Sequence, residues 1–194
     1  LDVLSASSFD DKIAWYENDG NEVFTEKVIS TNTDWAESVT TADIDGDGDL
    51  DVLSASSSDD KIAWYENDGN EVFTEKVIST NANSASSVTT ADVDGDGDLD
   101  VLSASAFDDK IAWYENDGNE VFTEKVISTN SDWANSVTTA DLDGDGDLDV
   151  LSASTFDDKI AWYENDGNEV FTEKVISTNA GWANSVTTAD LDGD

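Results

Sequence analysis

Five aspartates fall within nine positions, Asp43-Ile44-Asp45-Gly46-Asp47-Gly48-Asp49-Leu50-Asp51. Carboxylates at the first, third and fifth places of a tight loop converge on one point. A backbone carbonyl at the seventh place and a carboxylate at the ninth can close the sphere, while Gly46 and Gly48 permit the sharp turn. An all-oxygen set of this kind suits Ca2+, which takes about six to eight hard ligands in a forgiving geometry. It suits Mg2+ less, because that ion demands octahedral geometry and keeps its waters. The expected ligands are Asp43, Asp45, Asp47, Asp49 (by its carbonyl) and Asp51. The same set returns as Asp92, Asp94, Asp96, Asp98 and Asp100, and as Asp141, Asp143, Asp145, Asp147 and Asp149. A fourth set is divided between Asp190, Asp192, Asp194 and Asp2. One Ca2+ per repeat is therefore expected.

The opening DxDGDG also begins EF-hand and dockerin loops. An EF-hand needs a bidentate Glu at the twelfth place, between two helices. That place is held here by Ser54, Ser103 or Ser152, and the flanks read as strands. The helical reading fails.

These loops recur because the whole chain is one phrase repeated. The run LDVLSAS, leading into KIAWYENDGNEVFTEKVIST, starts at Leu1, Leu50, Leu99 and Leu148, a period of 49 residues. Such a period marks a propeller, solenoid or array. Between turn signals each repeat offers four runs of strand length, for example residues 38–43, 50–56, 61–66 and 72–80. In the third run Ile62 and Trp64 face one way, and Lys61, Ala63 and Tyr65 the other. Asn67-Asp68-Gly69-Asn70 reads as a hairpin turn. No segment holds a helical apolar period. The fold expected is all-β, with β-propeller-type four-stranded antiparallel blades forming a closed ring or an open, fibrous array. A parallel β-helix is the rival, but it usually has shorter repeats, and its calcium nonapeptide GGxGxD is absent.

The expected blades are residues 38–86, 87–135 and 136–184, with 1–37 supplying strands two to four of a split blade and 185–194 its first strand. The chain reads as a window cut from a longer repetitive sequence. Residues 185–190 are expected to pair with 1–7, within one chain or between copies.

Composition narrows the function. The chain carries 46 acidic residues and 8 lysines, a net charge of −38, with no Arg, His, Cys, Met or Pro. Self-repulsion of that size opposes any compact state unless a cation offsets it, so the chain is expected to be ordered with cation and disordered without. Nucleic acid is excluded as a partner, since no basic patch exists to meet phosphate. No apolar run is long enough for membrane insertion. The usual catalytic bases, thiols and anion clamps are missing, and the acidic residues recur in every repeat instead of forming one asymmetric constellation. No enzyme activity is expected. The Trp-Tyr pairs beginning at Trp15, Trp64, Trp113 and Trp162 could stack on sugars, but read better as core.

The run VTTADIDGDGDLDVLSAS followed by KIAWYENDG resembles the FG-GAP/VCBS class of repeats, best known from integrin α-subunit propellers. The resemblance covers essentially the whole chain. It implies propeller blades with calcium in the hairpin between strands one and two, an extracellular or cell-surface setting, and roles in adhesion or ligand binding. The Gly-Ala-Pro element of integrin repeats is absent, which points away from integrin-like partners. The function expected is that of a calcium-stabilised extracellular structural or adhesive repeat, associating with itself, another extracellular protein or a glycan. The alternative is a carbohydrate-binding, lectin-like module.

The repeats differ at few places. Phe9, Phe107 and Phe156 are matched by Ser58, and Trp35, Trp133 and Trp182 by Ser84. Their joint loss in one repeat suggests that Phe9 and Trp35 touch. Up-and-down connectivity puts all six aromatics on the face opposite the calcium loops.

Overall fold

Each short run of alternating apolar and polar residues between Gly- and Asn-rich turns becomes a strand. A computed structural model describes residues 1–193 of the chain. Its first sheet has three strands, β1 (Val3–Ser7), β2 (Lys12–Asn18) and β3 (Phe24–Ser30), in that order. Three four-stranded sheets follow. The first contains β4 (Ala36–Ala42), β5 (Asp51–Ser56), β6 (Lys61–Asn67) and β7 (Phe73–Ser79). The next holds β8 (Ala85–Ala91), β9 (Asp100–Ser105), β10 (Lys110–Asn116) and β11 (Phe122–Ser128). The last holds β12 (Ala134–Ala140), β13 (Asp149–Ser154), β14 (Lys159–Asn165) and β15 (Phe171–Ser177). All pairs are antiparallel neighbours in sequence, as in a propeller blade.

The sheets stack face to face in a row, so the middle strands are covered on both sides. Alternation along β6 then decides which neighbour each residue meets. Ile62 and Trp64 pack toward Ala82, Val88, Val101 and Tyr114, whereas Ala63 and Tyr65 pack with Ile13, Ala36 and Val52. Trp64-Tyr65 and Trp113-Tyr114 are core, whereas Trp15, Tyr16 and Trp162 in the end sheets are half-buried, and no ring face of Trp64 is free for a sugar. Tyr65 keeps its hydroxyl paired by sharing a hydrogen bond with Ser54 at 3.4 Å.

Lysine seals the stack at its outer edge. Lys76 Nζ stands 4.4 Å above the Trp64 ring, 3.0 Å from Glu66 of its own sheet and 2.6 Å from Glu120 of the next. Lys27 repeats this over Trp15 with Glu17 and Glu71, and Lys125 over Trp113 with Glu115 and Glu169. Each clamp joins a cation–π contact to a bridge between blades, worth about 0.5–2 kcal/mol for the ring contact.

Antiparallel connectivity sends alternate loops to opposite edges. The aspartate loop between β4 and β5 and the turn between β6 and β7 share one edge. They touch: Gly69, at φ +73°, lies so close to the Asp49 carboxylate that any Cβ there would collide with it. The other edge carries the aromatics, with ring centroids 5.4 Å apart for Phe9 and Trp35 and 4.8 Å for Phe107 and Trp133.

Residues 183–190 depart from expectation. They form no strand, and β1 pairs only with β2. Leu1 and Leu191 are both fully exposed, with β1 and β12 at opposite ends of the row, so the expected pairing has no partner within one chain. The segment still takes the inter-sheet place of a first strand. Val186 N donates to Ser136 Oγ at 3.3 Å, as Val88 N does to Ser38 Oγ. The core assignment leads to a direct contrast. Trp113→Ala is expected to lose about 3–5 kcal/mol in urea unfolding, whereas Phe9→Ala, whose ring is 92% exposed, should lose under about 1 kcal/mol.

Candidate metal centre

The loop that leaves β4 folds on its own carboxylates. Asp47 N donates to Asp45 Oδ1 at 3.2 Å, Asp49 N to Asp47 Oδ1 at 2.9 Å, and Gly48 N to Asp43 Oδ2 at 3.0 Å. These side chain to backbone bonds are what Asp does best in turns. Gly48, at φ +97°, supplies a conformation that an L side chain enters only with strain. The next loops copy the pattern. Asp92 accepts from Gly95 N and Gly97 N at 2.8 and 3.1 Å, and Asp141 from Gly144 N and Gly146 N at 2.8 and 3.2 Å.

The ninth residue of the loop plays a different part. Asp51, Asp100 and Asp149 are fully buried at the start of β5, β9 and β13. Asp100 Oδ2 accepts Val93 N at 2.9 Å and Oδ1 accepts Asn116 N at 2.8 Å, so one carboxylate ties the end of the loop to its beginning and to β10. Asp51 does the same with Ile44 N and Asn67 N, and Asp149 with Leu142 N and Asn165 N. Burial away from water pushes the Asp100 carboxyl up to about 7, against the pull of its two N–H donors, and moves Asp51 upward for the same reason. Asp45 and Asp94 are raised by desolvation first and then by the neighbouring carboxylates.

Carboxylate oxygens of Asp43, Asp45 and Asp47 lie within 4.8 Å of one another, as do those of Asp92, Asp94 and Asp96, and those of Asp141, Asp143 and Asp149. The first and third places converge in all three loops, joined by the fifth in two of them and by the ninth in the third. The side chains of Asp49, Asp98 and Asp147 turn instead against Gly69, Gly118 and Gly167. In the fourth set Asp190 accepts Gly193 N at 2.6 Å and Asp2 accepts Asn18 N at 2.8 Å, while Asp194 lies outside the described residues. Asp192 is described, and nothing ties it to the other members of that set. Asp43 Oδ1 is buried without a hydrogen-bond partner, an orphaned oxygen that a hard cation fits, whereas the same oxygen of Asp92 and of Asp141 accepts a glycine N–H. Crowded hard oxygens with no nitrogen or sulfur donor suit Ca2+-like ions over zinc or copper.

Two features escaped sequence reasoning. Glu66 and Glu120 come within 4.8 Å of Asp45, as Glu115 and Glu169 do of Asp94. Lys76 and Lys125 already sit between those glutamates, so these groups are lysine-satisfied networks at the rim of the loops. Asn116, read as a turn residue, sends its amide to Leu99 O at 3.1 Å and across to Ile44 O of the preceding blade at 3.2 Å. Asn165 does the same toward Leu148 O and Val93 O. The fixed position of an Asn after each KIAWYE run was the available signal.

Comparison with known proteins agrees with this geometry. The family model described as an FG-GAP-like repeat matches residues 1–54, 43–103, 92–152 and 146–194. The chain has no significant match among curated proteins. Among solved structures, a functionally unknown protein from Desulfotomaculum acetoxidans aligns with TM-score 0.68 at 13% identity, over 97% of this chain and 56% of that one. A protein from Lactobacillus plantarum aligns with TM-score 0.61 at 15% identity, over 90% and 51%. An Agrocybe aegerita lectin, described as recognising non-reducing terminal N-acetylglucosamine, aligns with TM-score 0.59 at 21% identity, over 90% and 50%. The chain spans about half the length of these structures, and the likeness is one of fold. Its repeats, hairpin aspartates and blade topology place the chain in the FG-GAP-like repeat family, with a β-propeller-type fold.

Proposed function

We propose that this chain is a calcium-stabilised structural or adhesive repeat that works outside the cell. The observation that carries the reading is the convergence of carboxylates in each of the three complete loops, with Asp43 Oδ1 buried and unpartnered. Asp43, Asp45, Asp47 and Asp51 would hold the ion by their carboxylates and Asp49 by its carbonyl, with the equivalent sets in the other loops. The ion would supply positive charge where the chain has none.

Magnitudes favour a structural ion. At free calcium about 100 times the dissociation constant, each site adds roughly 2.7 kcal/mol. Three complete loops then contribute about 8 kcal/mol, within the ordinary range of total domain stability. Sites with constants of about 0.1–1 mM, the range of extracellular modules, would fill outside a cell and stay empty in cytosol. Near-identical blades that stack through repeated contacts also favour self-association or adhesion over catalysis. The titratable groups recur around the array without forming a single reactive cluster.

Chelation tests the reading. Excess EDTA is expected to abolish the β-sheet circular dichroism or lower the melting temperature sharply, and calcium to restore both. An unchanged melt in EDTA would contradict it. The acidity of the buried carboxylates adds a second test. The folded Asp100 pKa, about 7, lies above the ordinary 3.8, so the metal-free fold binds more protons than the unfolded chain between those values. Its contribution is therefore present at low pH and lost as pH rises through about 7. In EDTA, melting temperature should fall from about pH 4 to pH 8. In saturating calcium it should rise over the same window, because protons compete with the ion.

A further inference from the structure

The aromatic residues on the edge opposite the aspartate loops form a row. Centroid distances are 4.8 Å from Phe107 to Trp133, 4.8 Å from Trp133 to Phe156, and 6.2 Å from Phe156 to Trp182. Phe9 and Trp35 begin the same row at 5.4 Å. Between Trp35 and Phe107 two members are missing, because Ser58 and Ser84 stand where the other repeats place Phe and Trp. We propose that this gap is a binding site for a neutral pyranose sugar.

The frame around the gap is unchanged by the loss of the rings. Ser58 N bonds to Asp34 O at 3.1 Å, as Phe156 N does to Asp132 O at 3.1 Å. Ser84 N donates to Asp60 Oδ1 at 2.8 Å, as Trp133 N does to Asp109 Oδ1 at 3.0 Å. Ser84 even keeps the positive φ of its aromatic counterparts, +57° beside +61° at Trp133. The result is a preformed open depression of about 500 Å³ in place of a collapsed loop. That volume lies in the range of small-molecule sites, about 300–1,000 Å³.

Its lining is divided by chemistry. Trp35 and Phe107 stand at the two ends with half-open ring faces, and Ser58, Asp60, Asn83 and Ser84 lie between them. Among the described residues, the Ser58 and Ser84 hydroxyls and the Asn83 amide make no hydrogen bond within the protein, and Asp60 Oδ2 is free beside its bonded partner atom. A pyranose matches both parts. Its C–H face stacks on an aromatic ring, and its hydroxyl rim satisfies unpaired hydroxyl, amide and carboxylate groups. A wholly apolar ligand would leave those groups stranded. Asp60 and a chain charge of −38 oppose anionic sugars. An aromatic cage for a quaternary ammonium needs several rings around one charge, and two missing members separate the rings that remain. The site lies on the opposite edge from the aspartate loops, so it goes beyond the structural role proposed above.

The test is a titration of the full chain in calcium buffer. The probes are the methyl pyranosides of glucose, galactose, mannose and N-acetylglucosamine, set against glucuronic acid, choline and phenylalaninamide. Tryptophan emission and the backbone amide shifts of Ser58, Asn83 and Ser84 report on the gap. At least one neutral pyranoside is expected to give saturable shifts with a dissociation constant on the order of 1 mM. Trp35→Ala should weaken it by about tenfold or more. The double variant Ser58→Phe with Ser84→Trp should abolish it, and it keeps the fold because it installs residues the other repeats carry. The proposal is overturned if no neutral pyranoside shifts these amides, if binding survives in the double variant, or if choline, glucuronic acid or phenylalaninamide binds there in preference.

Discussion

Each four-stranded blade is organised around one buried carboxylate. Asp51, Asp100 and Asp149 each sit without solvent exposure at the start of a second strand. Each accepts one N–H from the loop that leaves the first strand and one from the end of the third. Three of the four strands are therefore held in register by one acidic group. A buried charge is tolerated only when hydrogen-bonded and matched by opposite charge. Two N–H donors meet the first condition. Among the described residues the second is unmet, since the nearest charged groups are other aspartates of the same loop.

The lysines cannot supply that charge. All 8 are engaged elsewhere, at two positions per repeat. Lys61, Lys110 and Lys159 are buried and pair with Asp59 and Glu75, Asp108 and Glu124, or Asp157 and Glu173. Lys27, Lys76 and Lys125 lie over tryptophan and join one blade to the next, while Lys174 lies over Trp162 and pairs with Glu164 of its own sheet. The three complete loops hold 15 of the 46 acidic residues, packed into three short stretches of chain. A hard divalent cation is the simplest neutraliser for such a geometry. Stacking of apolar faces and neutralisation of loops then become separate requirements, met on the two sides of the same hairpin.

Local patterns carried most of this to the level of sequence. Alternation in KIAWYEN separated Ile62 and Trp64 from Ala63 and Tyr65, and these pairs do meet different neighbours. The shared loss of aromatics at Ser58 and Ser84 announced the Phe9–Trp35 contact. What stayed hidden were contacts with no local period. The amide of Asn116 reaches a carbonyl 72 residues earlier, and Lys76 reaches a glutamate 44 residues later. Asp51 was read from sequence as a candidate ligand and not as the acceptor that fixes strand register, because that role depends on burial that only the stacked blade creates. Residues 185–190 carry the first-strand sequence yet form no strand, since a ladder needs a partner as well as a propensity.

The central claim is that each loop gathers its aspartates around one cation. Isothermal titration of the metal-free chain with calcium tests it most directly. The account predicts saturable binding of at least three ions per chain, one for each complete loop, and a loss of one ion in Asp100→Asn. Weak binding without a defined stoichiometry, or a count that Asp100→Asn leaves unchanged, would contradict it.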